Sequence, residues 1–86
     1  MRVVTIHPRA LEHLGHWADN DLKILKRVVE LLEDIQRSPF SGIGKPEPLK
    51  NELKGYWCRR INDEHRLVYK VTNDEIIIIQ CRYHYL

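Results

Sequence analysis

A chain of 86 residues has room for one core between two layers of secondary structure and for no second domain. Its 43% hydrophobic and 30% charged residues exclude a disordered chain, and no apolar run approaches the roughly 20 residues of a membrane span. The net charge of +2 is uneven: residues 1–44 carry six basic and six acidic residues, whereas residues 45–86 carry eight and six, so the excess lies where a nucleic acid would be expected to sit.

The N-terminal MRVVTIHPRA lacks the apolar core and small-residue cleavage site of a signal peptide, so a cytoplasmic location is expected. Val3, Val4 and Ile6 make a β-rich run that Pro8 cannot continue in a sheet, so residues 2–6 are predicted to be a strand. Pro8 suits the first turn of a helix over residues 8–17, where Ala10, Leu11, Leu14 and Trp17 recur at helical spacing. Residues 18–21, Ala-Asp-Asn-Asp, break that helix and offer a cap to the next. Leu22, Leu25, Val28, Val29, Leu32 and Ile35 then predict a second helix over about 20–37, ended by Ser38-Pro39.

From Phe40 to Leu49, two glycines and two prolines signal an ordered loop. It lacks the glycine spacing and the Lys-Ser or Lys-Thr of a phosphate loop. Pro46 and Pro48 fix the backbone around Glu47 and hold it on a stiff, non-helical segment. The remainder reads as three strands, about 53–61, 65–72 and 75–84, joined by turns at Asn62-Asp63-Glu64 and Asn73-Asp74, so they are antiparallel neighbours. Strict alternation places Leu67, Tyr69, Val71, Ile79, Cys81 and Tyr83 on an apolar face for the helices, and Arg66, Arg82 and His84 on an open polar face. Cys58 and Cys81 read as buried reduced thiols. The expected fold is α+β, one domain over 1–86 in the order β-α-α-β-β-β, with a mainly antiparallel twisted sheet and two helices packed on one face.

Chemistry concentrates between Gly44 and Arg66. Lys50, Lys54, Arg59 and Arg60 stand there against Glu52, with Tyr56 and Trp57 among them, a mixture suited to a polyanion with stackable bases. Glu47, Arg66 and His84 could meet at the polar face. Cleaving RNA without a metal takes a base for the 2′-hydroxyl, an acid for the leaving 5′-oxygen and a cation for the charge on phosphate, and these three side chains fit those tasks. The same residues also read as a surface ion pair and a solvated tail histidine. His13 and His16 share a helix face with only Glu12 nearby and no cysteine, so they read as solvated histidines and not as a metal site. Tyr69 and Tyr83, on the apolar parity, read as core.

Four ordered motifs, KPEPLK (45–50), GYWCRRI (55–61), EHRLVY (64–69) and the terminal CRYHY (81–85), resemble the YoeB/Txe toxins of the RelE superfamily, bacterial mRNA interferases of toxin-antitoxin modules. The resemblance covers nearly the whole chain. It implies a RelE-like sheet packed by two helices, ribosome-dependent cleavage of mRNA in the A site of the 70S ribosome, neutralisation by a YefM-like antitoxin, and a capacity to form homodimers. It implies Glu47 as base, Arg66 as phosphate-stabilising cation and His84 as general acid, with Lys50 and Arg60 as cations near the phosphates and Tyr85 as the C-terminal aromatic. The sequence itself offers no metal-ligand set beyond the weak histidine pair, so no metal and no cofactor are expected. The family pattern ends at that tyrosine, whereas this chain adds Leu86, which moves the terminal carboxylate one residue from His84. Two other functions fit parts of the pattern: a same-fold toxin that poisons DNA gyrase, which does not carry the Glu, Arg and His set, and a non-catalytic nucleic-acid-binding module.

Overall fold

The structure, a computed structural model, describes residues 1–84. Its strands are β1 (Val3–Ile6), β2 (Glu47–Pro48), β3 (Trp57–Arg60), β4 (Arg66–Val71) and β5 (Glu75–Gln80), and its helices are α1 (Pro8–Asn20) and α2 (Leu22–Arg37). The strands form one sheet in the order β1-β5-β4-β3-β2. The two expected hairpins make β3-β4 and β4-β5 antiparallel, and β2 joins as a short antiparallel edge. Only β1 runs parallel to its neighbour, with Val4 opposite Ile76 and Ile6 opposite Ile78, because the two helices carry the chain back over the sheet. The element order is the expected one, with β2 added where a loop was read.

Local chemistry accounts for the helix boundaries. The His7 ring caps α1 by accepting the Arg9 N–H at 3.1 Å, and Pro8 opens the first turn. The helix runs to Asn20, past the predicted stop, because a single residue makes the break. The Asp21 N–H donates to Trp17 O at 2.8 Å, and its carboxylate caps α2 by accepting the Lys23 and Ile24 N–H groups. The buried stripe of α1 is Ala10, His13 and Trp17, so Leu11, read as apolar face, lies exposed.

Val28, Leu31 and Ile35 of α2 pack with Leu67, Tyr69, Ile76, Ile78 and Cys81 on one face of the sheet. Full burial of each such aliphatic side chain contributes about 1.5–3 kcal/mol. On β5 the alternation slips: Tyr69 pairs with Ile78 but Val68 pairs with Gln80, leaving Ile79 as the extra residue of a β-bulge. Ile76 and Ile78 therefore face the helices, whereas Ile79 joins Leu49, Cys58 and Val68 on the opposite face. This overturns the expected placement of Ile79. It also means that the face expected to be open and polar carries a second apolar cluster, roofed by Leu53 and Tyr56. Among the described residues no helix is long and apolar enough to cross a membrane.

Candidate functional site

Pairing register lines up Glu47, Cys58, Val68 and Gln80 across β2, β3, β4 and β5. Paired residues share a face, so the Glu47 side chain stands on the side of the sheet away from the helices. Arg60 and Arg66 pair in the next row on that face. Glu47 is exposed at the edge, and its segment is pinned by the Leu49 N–H donating to Tyr56 O at 2.9 Å. The Cys58 thiol is 4% exposed, and burial first, then the Glu47 charge, push its pKa up while Arg66 pulls it down. The Cys58 thiol thus feels both charges, although no hydrogen bond joins it to either group among the described residues. No ion pair joins Glu47 to Arg66 among the described residues, in contrast to the surface-pair alternative.

Arg66 is 7% exposed, and its Nη1 donates to the carbonyls of Asn62 (2.7 Å), His65 (3.1 Å) and Asp63 (3.3 Å). The 62–65 turn that supplies these acceptors is itself fixed by Asn62 Oδ1, which accepts the Glu64 and His65 N–H groups. One edge of the guanidinium is therefore spent on locking its position. Arg60 is half exposed, with Nη1 3.6 Å from Asp63 Oδ1, a solvent-screened pair. Lys50 and Glu47 line one cleft of about 610 Å³.

His84 lies in the adjoining groove of about 340 Å³, with Arg9, Glu52, Tyr56, Gln80 and Tyr83. Glu52 and Leu53 line both hollows, so Glu47 and His84 stand on either side of a shared wall. Gln80 Nε2 donates to Arg82 O at 2.9 Å and His84 O at 3.3 Å, anchoring the last described residue to the row that begins at Glu47. Tyr85 and Leu86 lie outside the described residues.

Arg82 does not join Arg66 and His84 on this face; its guanidinium lies 5.9 Å from the Trp17 ring and 4.6 Å from the Tyr83 ring. Tyr83 is 54% exposed, not core, because β5 ends at Gln80 and a left-handed backbone at φ 66° breaks the alternation. His13 is not solvated either: it is buried, and its Nδ1 accepts the Cys81 N–H at 3.2 Å. Both cysteines are free and buried, as expected. Among the described residues no group of three or more His, Cys, Asp or Glu side chains is arranged to hold a metal ion.

Arg59, grouped by sequence with the phosphate-facing cations, is fully buried. Its Nη1 donates to Asp34 Oδ2 (2.6 Å) and Ile43 O (3.0 Å), its Nη2 to Ser38 O (2.6 Å) and Ser41 O (2.8 Å), and its Nε to Tyr69 Oη (3.2 Å). It organises the loop that delivers Glu47. Alternation in β3, which puts Arg59 with Trp57 and Ile61 on the helix side, is the signal that could have found it.

Residues 6–85 match the family described as YoeB-like toxin of bacterial type II toxin-antitoxin system. A YoeB toxin from Streptomyces coelicolor is 55% identical over 82 residues, covering 95% of this chain and 98% of that protein. The structure superposes on a YoeB dimer from Staphylococcus aureus with a TM-score of 0.91, at 48% identity over 98% of both chains. A heterotetrameric YoeB-YefM toxin-antitoxin complex from the same organism gives 0.89, at 48% identity over 99% of both chains. More distant proteins, such as YafQ from Escherichia coli at 20% identity and a TM-score of 0.75, share the fold. The chain belongs to the YoeB-like toxins of bacterial type II toxin-antitoxin systems.

Proposed function

We propose that this toxin is an endoribonuclease that cuts mRNA in the ribosomal A site without a metal, and that Glu47, Arg66 and His84 carry the reaction. One observation supports this above all: three separate chain segments bring a carboxylate, a clamped guanidinium and a histidine to one face of the sheet, around Cys58 and Gln80. Glu47 takes the proton of the 2′-hydroxyl on the 5′ side of the scissile bond. The freed O2′ attacks the adjacent phosphorus, the P–O5′ bond breaks, and His84 gives its proton to O5′. The products are a 2′,3′-cyclic phosphate, or its hydrolysed 3′-phosphate, and a 5′-hydroxyl.

Arg66 faces the phosphate with Nε and Nη2, since Nη1 is committed to the turn carbonyls. A donor fixed before substrate arrives stabilises charge that grows in the transition state without reorganising. Lys50, Arg60 and Tyr85 bind the flanking RNA, and the A site confines the substrate so that O2′ and phosphorus line up. A YefM-like antitoxin, offering an acidic segment, lies over this face and blocks it, and the toxin also pairs as a homodimer; the two Staphylococcus aureus assemblies support both readings.

The deciding experiment uses programmed ribosomes carrying mRNA with one 2′-deoxy nucleotide on the 5′ side of the cut. The deoxy substrate stays intact while its ribose counterpart is cleaved to a cyclic phosphate. Cleavage of the deoxy substrate overturns the mechanism, and intact ribose mRNA with inhibited gyrase supercoiling overturns the function.

A further inference from the structure

Beyond Gln80 the chain leaves the sheet, so the backbone groups of residues 81–84 lose the partners a ladder would give them. Three side chains and one backbone N–H take over. His13 Nδ1 accepts the Cys81 N–H (3.2 Å), Trp17 Nε1 donates to Cys81 O (2.8 Å), His65 Nδ1 accepts the Tyr83 N–H (2.8 Å), and the Arg66 N–H donates to Tyr83 O (2.9 Å). Tyr83 is held at φ 66°, a conformation an aromatic residue keeps only where its surroundings over-determine it. His84 follows directly. Two of the clamps are imidazole nitrogens, and a backbone N–H can only donate, so both Nδ1 atoms must be bare and the protons of the neutral rings sit on Nε2.

We propose that His13 and His65 are positioning residues for His84: their bare Nδ1 atoms hold the backbone of residues 81–83, and protonation of either ring releases that segment. The surroundings oppose protonation. Around His13 stand Arg9, Arg82 and His16 against one acid, Glu12; around His65 stand Arg82, His16 and Arg66 against Glu64. Both rings are also packed edge-on against aromatic neighbours, His65 with Trp17 at 4.7 Å and His13 with Tyr83 at 5.8 Å. Burial is the leading cause that lowers the pKa of each below its ordinary 6.5, and the cations add to it. Because the clamped pKa lies below the free one, the clamp is at full strength above pH 6.5 and weakens as pH falls through the lowered values. The lone pairs of both Nδ1 atoms are occupied by backbone protons, which also separates this cluster from a metal site.

The effect on catalysis rests on the nuclease reading, but the clamp itself is tested without substrate. In the intact protein, long-range proton–nitrogen NMR correlations report whether each Nδ1 is bare, and amide exchange reports the Cys81 and Tyr83 N–H groups. At about pH 7.5 both nitrogens are bare and both amides protected, and protection falls about tenfold, the worth of one hydrogen bond, as the rings protonate. In His65→Asn, whose amide oxygen replaces Nδ1 but does not titrate, the Tyr83 amide stays protected as pH falls while Cys81 is still released once His13 protonates. A protonated Nδ1 at neutral pH, or amide protection that ignores the imidazole titration, overturns the proposal. On programmed ribosomes His65→Leu lowers kcat about fivefold to tenfold at unchanged KM, and His65→Asn restores it and flattens the acid limb of the pH profile. Parental kcat in His65→Leu refutes the positioning role. If the parent cuts no RNA at all, the nuclease reading fails and the amide measurements still decide the clamp.

Discussion

Replacing Asp34 by Asn keeps an oxygen against Arg59 but removes the charge that balances a guanidinium with no solvent exposure. Breaking a buried ion pair from one side costs about 3–5 kcal/mol. Arg59 would keep its bonds to Ser38 O, Ser41 O, Ile43 O and Tyr69 Oη, so the loss falls near the lower end, about 3 kcal/mol. With a urea m-value of about 1–1.5 kcal/mol/M, the unfolding midpoint drops by roughly 2–3 M. The Arg59→Met variant costs less per charge, because Asp34 is 15% exposed and keeps Arg37, but it frees three loop carbonyls. The double variant is then less destabilised than the sum of the two, and the difference measures the pair. Acid unfolding gives an independent reading. Hydrogen bonding from Arg59, then from the Ile43 N–H and Arg37, holds the Asp34 carboxyl below its ordinary 3.8. A depressed carboxyl contributes stability that is complete above 3.8 and lost as pH falls through the folded value, so Asp34→Asn unfolds less steeply below about pH 4. A midpoint shift under about 0.5 M would refute the claim that this pair anchors the loop carrying Glu47.

Other perturbations separate chemistry from folding. His84→Ala lowers kcat by about a hundredfold or more in single-turnover cleavage by a protein that circular dichroism shows to be folded. Gly44 sits at φ 79°, and a Cβ there would lie 2.8 Å from Leu31 Cδ2 and 3.1 Å from Arg60 O, so Gly44→Ala destabilises by about 1–3 kcal/mol in urea unfolding. Burial pushes the Cys81 thiol up to about 12, so it reacts with a thiol reagent at about pH 8 only at the rate of unfolding. Its raised value contributes stability that is complete below the ordinary 9 and lost as pH rises towards 12, which Cys81→Ala removes from the alkaline limb.

The helices were legible because their signals are local: a proline at the first turn, one aspartate that ends α1 and caps α2, and apolar residues three and four apart. The hairpins were legible for the same reason. Face assignment in β5 failed because a β-bulge leaves no mark in a run of four isoleucines; every residue from 76 to 79 is equally apolar, and only pairing with β4 shows which one is extra. From that single residue follows the error at Ile79, whereas the error at Tyr83 follows from the end of β5 at Gln80, after which strand alternation no longer applies. The parallel partner of β1 was hidden as well, since it depends on where two helices return the chain.

Single-residue chemistry named the catalytic candidates, but it does not distinguish an arginine that faces substrate from one that holds a loop. Arg59, Arg60 and Arg66 lie within eight positions and have the same side chain, yet they are fully buried, half exposed and nearly buried. What separates them is the supply of carbonyl acceptors. Arg59 meets the loop from Ser38 to Ile43, whose carbonyls converge on its Nη1 and Nη2, and so it is consumed by structure. Arg66 meets only the 62–65 turn, which engages Nη1 and leaves the other edge of the guanidinium for a ligand. Arg60 meets one exposed carboxylate at 3.6 Å and keeps its freedom. A half-clamped arginine is the arrangement a transition-state cation needs, because the clamp fixes direction before substrate binds and the remaining donors stay unspent. The same turn supplies His65, whose ring accepts the Tyr83 N–H, so the element that aims Arg66 also seats the segment ending in His84. Loosening the turn through Asn62→Ala, which removes the acceptor for the Glu64 and His65 N–H groups, therefore loosens the Arg66 side chain and the segment that ends in His84 together, which amide exchange at Tyr83 reads directly.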